Sequence, residues 1–155
     1  MKHLFARLLG ALVLGIALSP AVALAAAATT HAVEVYHDPA CGCCVHWMRY
    51  MQMQGYVVTA HANSSMATVK ARLGVPAGAA SCHTAKIGGY VIEGHVPAQD
   101  IRRLLAERPD AIGLAAPGMP MGSPGMEMGA PERYDVLLLE RDGTVRVYAT
   151  HGPEA

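Results

Sequence analysis

The sequence VEVYHDPACGCC, residues 33–44, places a short strand pattern directly before three clustered cysteines. Residues 33–36 alternate in the manner of a β-strand, and Asp38-Pro39 ends that pattern. Residues 44–54 contain no Gly or Pro, and Gly55 is placed to end a helix in a left-handed conformation. The cysteine cluster is therefore predicted to lie where the first helix begins.

The segments that follow predict the elements of an α/β domain. Gly88-Gly89 separates two apolar runs and favours a tight hairpin, because both residues can adopt positive φ. The predicted elements are a strand at 56–62, a helix from 63–65 to 73, strands at 84–87 and 90–93, and a helix from 97 to about 107. The order β-α-β-α-β-β-α is that of a thioredoxin-like domain, although ferredoxin-like and other α+β domains share parts of it.

The C-terminal third changes in composition. Residues 113–131 are rich in Gly, Pro, Met and Ala without a period, which predicts a loop, and residues 134–140 and 145–150 flank Asp142-Gly143 as a second hairpin. The expected organisation is a signal peptide at 1–25, a thioredoxin-like core at 32–112, a Met-rich loop at 113–131, and a C-terminal β-hairpin and tail at 132–155.

The N-terminal segment has the pattern of a secretory signal peptide. Basic Lys2 and Arg7 flank the start of an apolar run at residues 8–18, which is followed by Ser19-Pro20 and several A-x-A patterns. The run is shorter than the ~20 apolar residues needed to span a bilayer, which disfavours a retained transmembrane helix. Cleavage is expected between residues 23 and 28, most simply after Ala25.

Charge and composition narrow the function classes. The signal carries two of the 12 Lys and Arg and none of the 12 Asp and Glu, so the mature chain has a formal charge of −2 with neutral His. No basic patch remains to bind nucleic acid, and no membrane association is expected after signal cleavage. The ~130 mature residues can bury a core without a dense disulfide framework. The four Cys, eight His and nine Met therefore point to redox or metal chemistry.

Cys41 and Cys44 form a CxxC at the predicted helix start. Unpaired N–H groups and the helix dipole stabilise thiolates there and lower a cysteine pKa from about 8.5. Cys43 is a third sulfur that a dithiol enzyme does not need, and it suits a polynuclear site or a soft cation such as Cu(I). The alternative is a disulfide with an inert thiol beside it.

Cys82 immediately precedes the predicted third strand. In thioredoxin-like folds the start of that strand lies against the N-terminus of the first helix, so we expect Cys82 beside the other three sulfurs. The lowered pKa expected at the helix start would keep these sulfurs deprotonated near neutral pH and ready for Cu(I). A Cys82 sulfur more than about 10 Å from all of them would exclude a shared site. The alternative is a buried structural cysteine.

Three strings in the sequence are rare enough to indicate a particular family. They are CGCCVHW at 41–47, SCHTAKIGGYVIEGHVPAQDIRRLL at 81–105, and GLAAPGMPMGSPGME at 113–127. Together they resemble the CopG-like periplasmic copper-resistance family. The resemblance implies a thioredoxin-like fold, export to the periplasm and interconversion of Cu(I) and Cu(II). It also implies that copper is bound by Cys41, Cys43, Cys44 and Cys82.

Methionines in the loop are candidate copper ligands. Met119, Met121, Met126 and Met128 form two M-x-M pairs, of which we select Met119 and Met126. Thioether sulfur is a soft, uncharged ligand that suits Cu(I). The alternative is that these residues fill apolar gaps, although the Gly and Pro content of the segment argues against packed core.

Histidines would help the site to hold Cu(II). His83 adjoins Cys82, and His46 follows the CGCC motif, so these two rank first. His37 and His95 are further candidates. The histidines expected to be bystanders are His61 and His151.

The N-terminus offers one more candidate site. Cleavage after Ala28 would expose Thr29-Thr30-His31, whose amine, two amides and imidazole suit a square-planar Cu(II) site. Cleavage after Ala25 would remove this possibility. The intact mass of the mature protein distinguishes the two.

The leading hypothesis is a periplasmic copper-binding protein of copper resistance that also cycles copper between its redox states. Its expected partners are copper ions and other periplasmic copper-handling proteins; the oligomeric state, and whether the protein is a copper oxidoreductase, stay open. The first alternative is a thiol-disulfide oxidoreductase with Cys41 as nucleophile and Cys44 as resolving thiol. The second is a structural zinc site, which leaves the loop methionines unexplained.

Overall fold

The computed structural model describes residues 31–154. The strands are β1 Ala32–His37, β2 Val57–Ala62, β3 His83–Ile87, β4 Tyr90–Glu93, β5 Ala111–Ala115, β6 Tyr134–Glu140 and β7 Val145–His151. The helices are α1 Gly42–Met53, α2 Met66–Arg72 and α3 Ala98–Glu107, with a 3₁₀ turn at Ala77–Ala79. The predicted signal peptide and both cleavage points lie outside the described residues, as do Thr29 and Thr30. Within residues 31–154, no helix has the length and apolarity to cross a membrane.

All seven strands form one sheet in the order β2-β1-β3-β4-β5-β6-β7. β1 runs parallel to β2 and antiparallel to β3, and β4 pairs antiparallel with β3 and parallel with β5. Helix α3 makes the crossover between the parallel strands β4 and β5, as a parallel connection requires. The elements β1 to α3 confirm the predicted thioredoxin-like α/β order.

The main core lies between the sheet and helices α1 and α3. Trp47 and Met51 of α1 and Ile101 and Leu104 of α3 are fully buried against the sheet. Trp47 also donates its indole N–H to the carbonyl of Val96 at 3.0 Å, so its polar atom is satisfied inside the core. This anchors α1, and with it the cysteines at its N-terminus, onto the sheet.

The hairpin between β3 and β4 forms as predicted. Gly88 and Gly89 adopt φ values of +56° and +91°, which the two-residue turn requires. The resulting register pairs Ile87 with Tyr90 and Thr84 with Glu93. This register decides which residues face one another just beyond the strand ends.

Strand β5 occupies the first residues of the segment predicted to be a loop, so that boundary was wrong. Leu114 is fully buried and lies opposite Ile92 of β4 and Leu138 of β6. A strand buried on both faces shows no alternation, so its pattern is hard to distinguish from an irregular apolar segment. Because of β5, the β6–β7 hairpin joins the same sheet as the thioredoxin-like elements.

Candidate metal centre

The chain turns sharply between β1 and α1. The Asp38 carboxylate accepts the backbone N–H of Ala40 at 2.8 Å, and the Asp38 carbonyl accepts the N–H of Cys41 at 3.0 Å. Aspartate stabilises such turns by bonding its own backbone two residues on. Helix α1 then begins at Gly42 with Cys41 as its N-cap, so the CGCC motif lies at the helix start as predicted.

Cys41 and Cys44 are joined by a disulfide, with 5.5 Å between their Cα atoms. Cys43 is a free thiol whose Sγ lies 3.5 Å from that of Cys41. We expected all these sulfurs to be thiolates, and that is wrong for this state because two of them are bonded to each other. Reduction would be needed to free Cys41 and Cys44.

Cys82 lies beside the helix start, as predicted. Its Sγ is 3.7 Å from Cys43 Sγ, and the four cysteine sulfurs all lie within 4.8 Å of one another. The cause is the antiparallel pairing of β1 and β3, whose last pair is His37 with His83. The end of β1, from which the chain enters α1, therefore meets the start of β3.

Two histidines lie close to the Cys82 sulfur. His83 Nδ1 lies 3.3 Å and His95 Nε2 lies 3.1 Å from Cys82 Sγ. Both imidazoles are fully buried, and His83 lies against the Trp47 ring with 4.5 Å between centroids. In residues 31–154, His83 Nε2 has no hydrogen-bond partner. His95 Nδ1 is within 2.8 Å of the Pro124 carbonyl, which orients the ring.

His95 was only a further candidate from the sequence, yet its Nε2 lies closer to Cys82 Sγ than His83 Nδ1 does. A sequence signal for this contact was present. The Gly88-Gly89 turn sets the register of the hairpin, with Thr84 opposite Glu93. Counting two positions further along each strand places Cys82 opposite His95. The predicted hairpin could therefore have selected this histidine before the structure was known.

Burial shifts the protonation of this side of the site toward neutral groups. Burial, and after it the nearby Cys43 thiol, raise the pKa of Cys82 to about 12. Burial also acts on the two histidines. It lowers the pKa of His83 well below its usual value, and lowers that of His95 against an opposing hydrogen bond with Pro124. The expected depressed pKa is thus wrong for Cys82, because desolvation disfavours its thiolate. Neutral imidazole, in contrast, is the form that binds metals.

The loop methionines fall into two environments. Met119 is 52% exposed, and its Sδ lies 4.0 Å from Cys43 Sγ. Met126 is only 4% exposed, so the expectation that this segment contains no packed residue is wrong there. The backbone of the loop can approach α1 because residue 125 is Gly. A Cβ there would lie 2.7 Å from the backbone nitrogen of Trp47. Ligation by either methionine stays a prediction.

The remaining histidines lie apart from these contacts. His46 is exposed on α1 and belongs to neither group of ligand atoms found within 4.8 Å in residues 31–154, so its role as a ligand stays a prediction. His61 stacks on Tyr36, and His151 Nε2 lies 2.6 Å from a carboxylate oxygen of Asp100. Those contacts are consistent with the two expected bystanders.

Comparison with known proteins gives two findings. Residues 79–126 match a family described as a protein of unknown function, DUF411. Two solved structures, Form 2 and Form 1 of a copper resistance protein copG, are each 48% identical with a TM-score of 0.74. Form 2 aligns over 78% of this chain and 98% of its own, and Form 1 over 79% and 98%. No curated protein matches the chain.

Proposed function

Because the chain belongs to the family of the copper resistance protein CopG, we propose that it binds copper through Cys41, Cys43, Cys44 and Cys82. The observation that carries this proposal is the approach of all four sulfurs to within 4.8 Å of one another. Thiolate and thioether sulfur are the ligands that Cu(I) prefers, and Met119 adds a thioether beside Cys43. Buried, neutral His83 and His95 add the nitrogen ligands that suit Cu(II).

Redox cycling of copper is the second part of the proposal, and the Cys41–Cys44 disulfide supports it. Two Cu(I) ions that are oxidised to Cu(II) release two electrons. Those electrons, with two protons, convert the disulfide into two thiols; in the opposite direction the dithiol reduces two Cu(II) ions. With two protons taken up or released, the sulfur pair and the copper ions would therefore exchange electrons without another oxidant or reductant.

Location and partners complete the proposal. The predicted signal peptide supports export to the periplasm, where copper ions and other copper-handling proteins would be the partners. An exported, soft-ligand site of this kind would hold copper away from other proteins. The same proposal includes Met126 and His46 as candidate ligands.

The test compares the wild type with a Cys43→Ser/Cys82→Ser variant, which retains the Cys41–Cys44 pair. Both proteins are reduced, loaded anaerobically with Cu(I) or with Zn(II), and analysed for metal content and oxidation state. We expect tight copper binding by the wild type and a large loss in the variant. Equal copper contents would contradict the four-sulfur site, and a preference for zinc over copper would favour a structural zinc site.

A thiol-disulfide oxidoreductase is the second candidate, favoured by the disulfide at the N-terminus of α1. Cys41 is partly exposed and Cys44 is buried, an arrangement that suits an attacking and a resolving thiol. Insulin reduction separates the candidates, because Cys43→Ser/Cys82→Ser retains this pair. Full insulin-reducing activity in the variant, with no copper bound by the wild type, would favour the second candidate.

A further inference from the structure

Glu93, the last residue of β4, places a fully buried carboxylate behind the copper site. Lys70 Nζ donates to its Oε1 at 2.5 Å, and Thr84 Oγ1 donates to its Oε2 at 2.6 Å. A buried ion pair is weak evidence for a stabilising role, because apolar residues of similar volume often stabilise a fold as well or better. A role other than stability is therefore expected for this carboxylate.

A third donor to Glu93 is the backbone N–H of Ser81, at 2.6 Å from Oε1. Ser81 directly precedes Cys82, and both lie beyond the last pair of the β1–β3 ladder, His37 with His83. No strand on the β1 side supplies an acceptor for this segment in the ladder that the structure describes. The Glu93 carboxylate supplies one, and so fixes the backbone next to the Cys82 sulfur.

Ser81 carries the same constraint to the Met-rich loop. Its hydroxyl donates to the carbonyl of Gly118, and the N–H of Gly118 donates to the carbonyl of Ala80 at 3.1 Å. Gly118 directly precedes Met119. Gly94, with φ +72°, makes the close approach feasible, since a Cβ there would collide with the Ser81 side chain. Holding Ser81 therefore holds both Cys82 and Met119.

We propose that Glu93 is a positioning residue of the copper site, which acts through Ser81 to place Cys82 and Met119 around Cys43. The distances that it maintains are 3.7 Å from Cys43 Sγ to Cys82 Sγ and 4.0 Å to Met119 Sδ. The inference rests on the proposed copper binding. It differs from a purely structural role for the ion pair, which would affect stability and leave the copper affinity unchanged.

The test separates positioning from stability with three variants. Lys70→Met/Glu93→Leu replaces the ion pair with apolar side chains of similar length and leaves the Ser81 N–H without its acceptor. Glu93→Gln removes the charge but retains an amide oxygen for that N–H. Thr84→Val is the matched control, because it removes a donor to the same carboxylate and leaves the Ser81 hydrogen bond in place.

Each variant is measured for Cu(I) affinity, by competition with a chromophoric chelator, and for its unfolding midpoint in urea. We expect Lys70→Met/Glu93→Leu to unfold near the wild-type midpoint but to bind Cu(I) about 10- to 100-fold more weakly, as when supporting partners of metal ligands are removed. Glu93→Gln should recover most of the affinity. Thr84→Val should bind copper like the wild type even if its midpoint falls.

Wild-type affinity in Lys70→Met/Glu93→Leu would overturn the inference, and so would an equal loss in Thr84→Val. If the double variant does not fold, Ser81→Ala decides. It removes the partly exposed hydroxyl, which donates to the Gly118 carbonyl and, at 3.9 Å, to Cys82 Sγ, and it should weaken Cu(I) binding without moving the midpoint. Wild-type affinity in Ser81→Ala would then overturn the inference. A wild type that binds no copper would instead overturn the proposed function.

Discussion

The two halves of the cysteine site differ in origin and in environment. The helix-start half, residues 41–44, is a contiguous motif whose Cys41–Cys44 pair is joined by a disulfide and whose Cys43 is partly exposed. The buried half, defined as Cys82, His83 and His95, comes from the start of β3, the residue before it and the segment after β4. Its two imidazoles are fully buried, its thiol is partly buried, and desolvation favours its neutral groups. In the proposed function, the first half would supply redox chemistry and the second would supply shielded ligands.

The two halves also differ in what fixes their geometry. A motif that spans four residues can form and break its disulfide with little change in the rest of the fold. The buried half depends on the pairing of β1 with β3 and of β3 with β4, so its geometry is as rigid as the sheet. Cys43 and Cys82, 3.7 Å apart, are the contact between the two halves.

Removing the sulfur of the buried half should have the largest effect. We expect Cys82→Ser to lower the Cu(I) affinity by ~10³-fold, equivalent to about 4 kcal/mol, because the helix-start half alone cannot surround the ion. Chelator competition measures this affinity, and circular dichroism verifies the fold. His61→Ala, which alters an exposed histidine on the edge strand β2, is the comparison and should change little. Equal affinities in Cys82→Ser and the wild type would show that the helix-start half suffices.

The two loop methionines should divide between affinity and stability. Met126→Ala should lower the free energy of unfolding by about 3 kcal/mol, because truncation of a buried methionine leaves a cavity. Met119→Ala, at a half-exposed position beside Cys43, should instead weaken Cu(I) binding and leave unfolding nearly unchanged. Urea unfolding and chelator competition on both variants test this. A loss of copper affinity in Met126→Leu, which conserves volume, would assign Met126 to the site as well.

Reduction of the disulfide should affect the helix-start half only. A disulfide that closes so short a loop constrains the unfolded chain weakly, so its reduction should cost about 2 kcal/mol of unfolding free energy. Urea unfolding of the metal-free protein with and without a phosphine reductant measures this cost. Cys41→Ser/Cys44→Ser is the control and should not respond to the reductant. A collapse of the whole fold on reduction would contradict the independence of the two halves.

Acid should lower the unfolding free energy through the buried half. The loss expected for each imidazole and each pH unit is smaller than the effects above. The folded protein holds His83 and His95 neutral with lowered pKa values, whereas in the unfolded chain they titrate near 6.5. The unfolded state therefore binds more protons below pH 6.5, and stability is present above that pH and lost as the pH falls toward the folded pKa values. The slope should approach about 1.4 kcal/mol per pH unit for each imidazole.

Urea unfolding of the metal-free protein between pH 7.5 and 5.0 measures this slope. His95→Asn should flatten the dependence, while His61→Asn, at an exposed position on the edge strand β2, should leave it unchanged. A stability that does not change with pH in this range would mean that the buried imidazoles become protonated without cost. That result would remove the electrostatic contrast between the two halves.

Several parts of the site followed from the sequence because their signals are local. The CGCC motif is contiguous, and the Gly55 stop and the Gly88-Gly89 turn depend on glycines that adopt positive φ. The hairpin register would also have placed Cys82 opposite His95, a consequence that we did not predict from the sequence. Strand β5 was missed because a doubly buried strand shows no alternation. The burial of Met126 and the buried carboxylate of Glu93 were not predicted, because burial depends on what packs over a residue, which its neighbours in sequence do not reveal.

By itself the sequence determined the order of the thioredoxin-like elements and the presence of three sulfurs at a helix start. The thioredoxin-like order also predicted that Cys82 lies beside those sulfurs. Only the tertiary structure decided that Cys43 is the sulfur 3.7 Å from Cys82, that Met126 lies in the core, and that Glu93 holds Ser81. Turn and helix preferences act over a few adjacent residues, so they can be recognised in a short string. Desolvation and strand pairing arise only when distant segments pack together, and they set the protonation and spacing of the cysteine and histidine side chains.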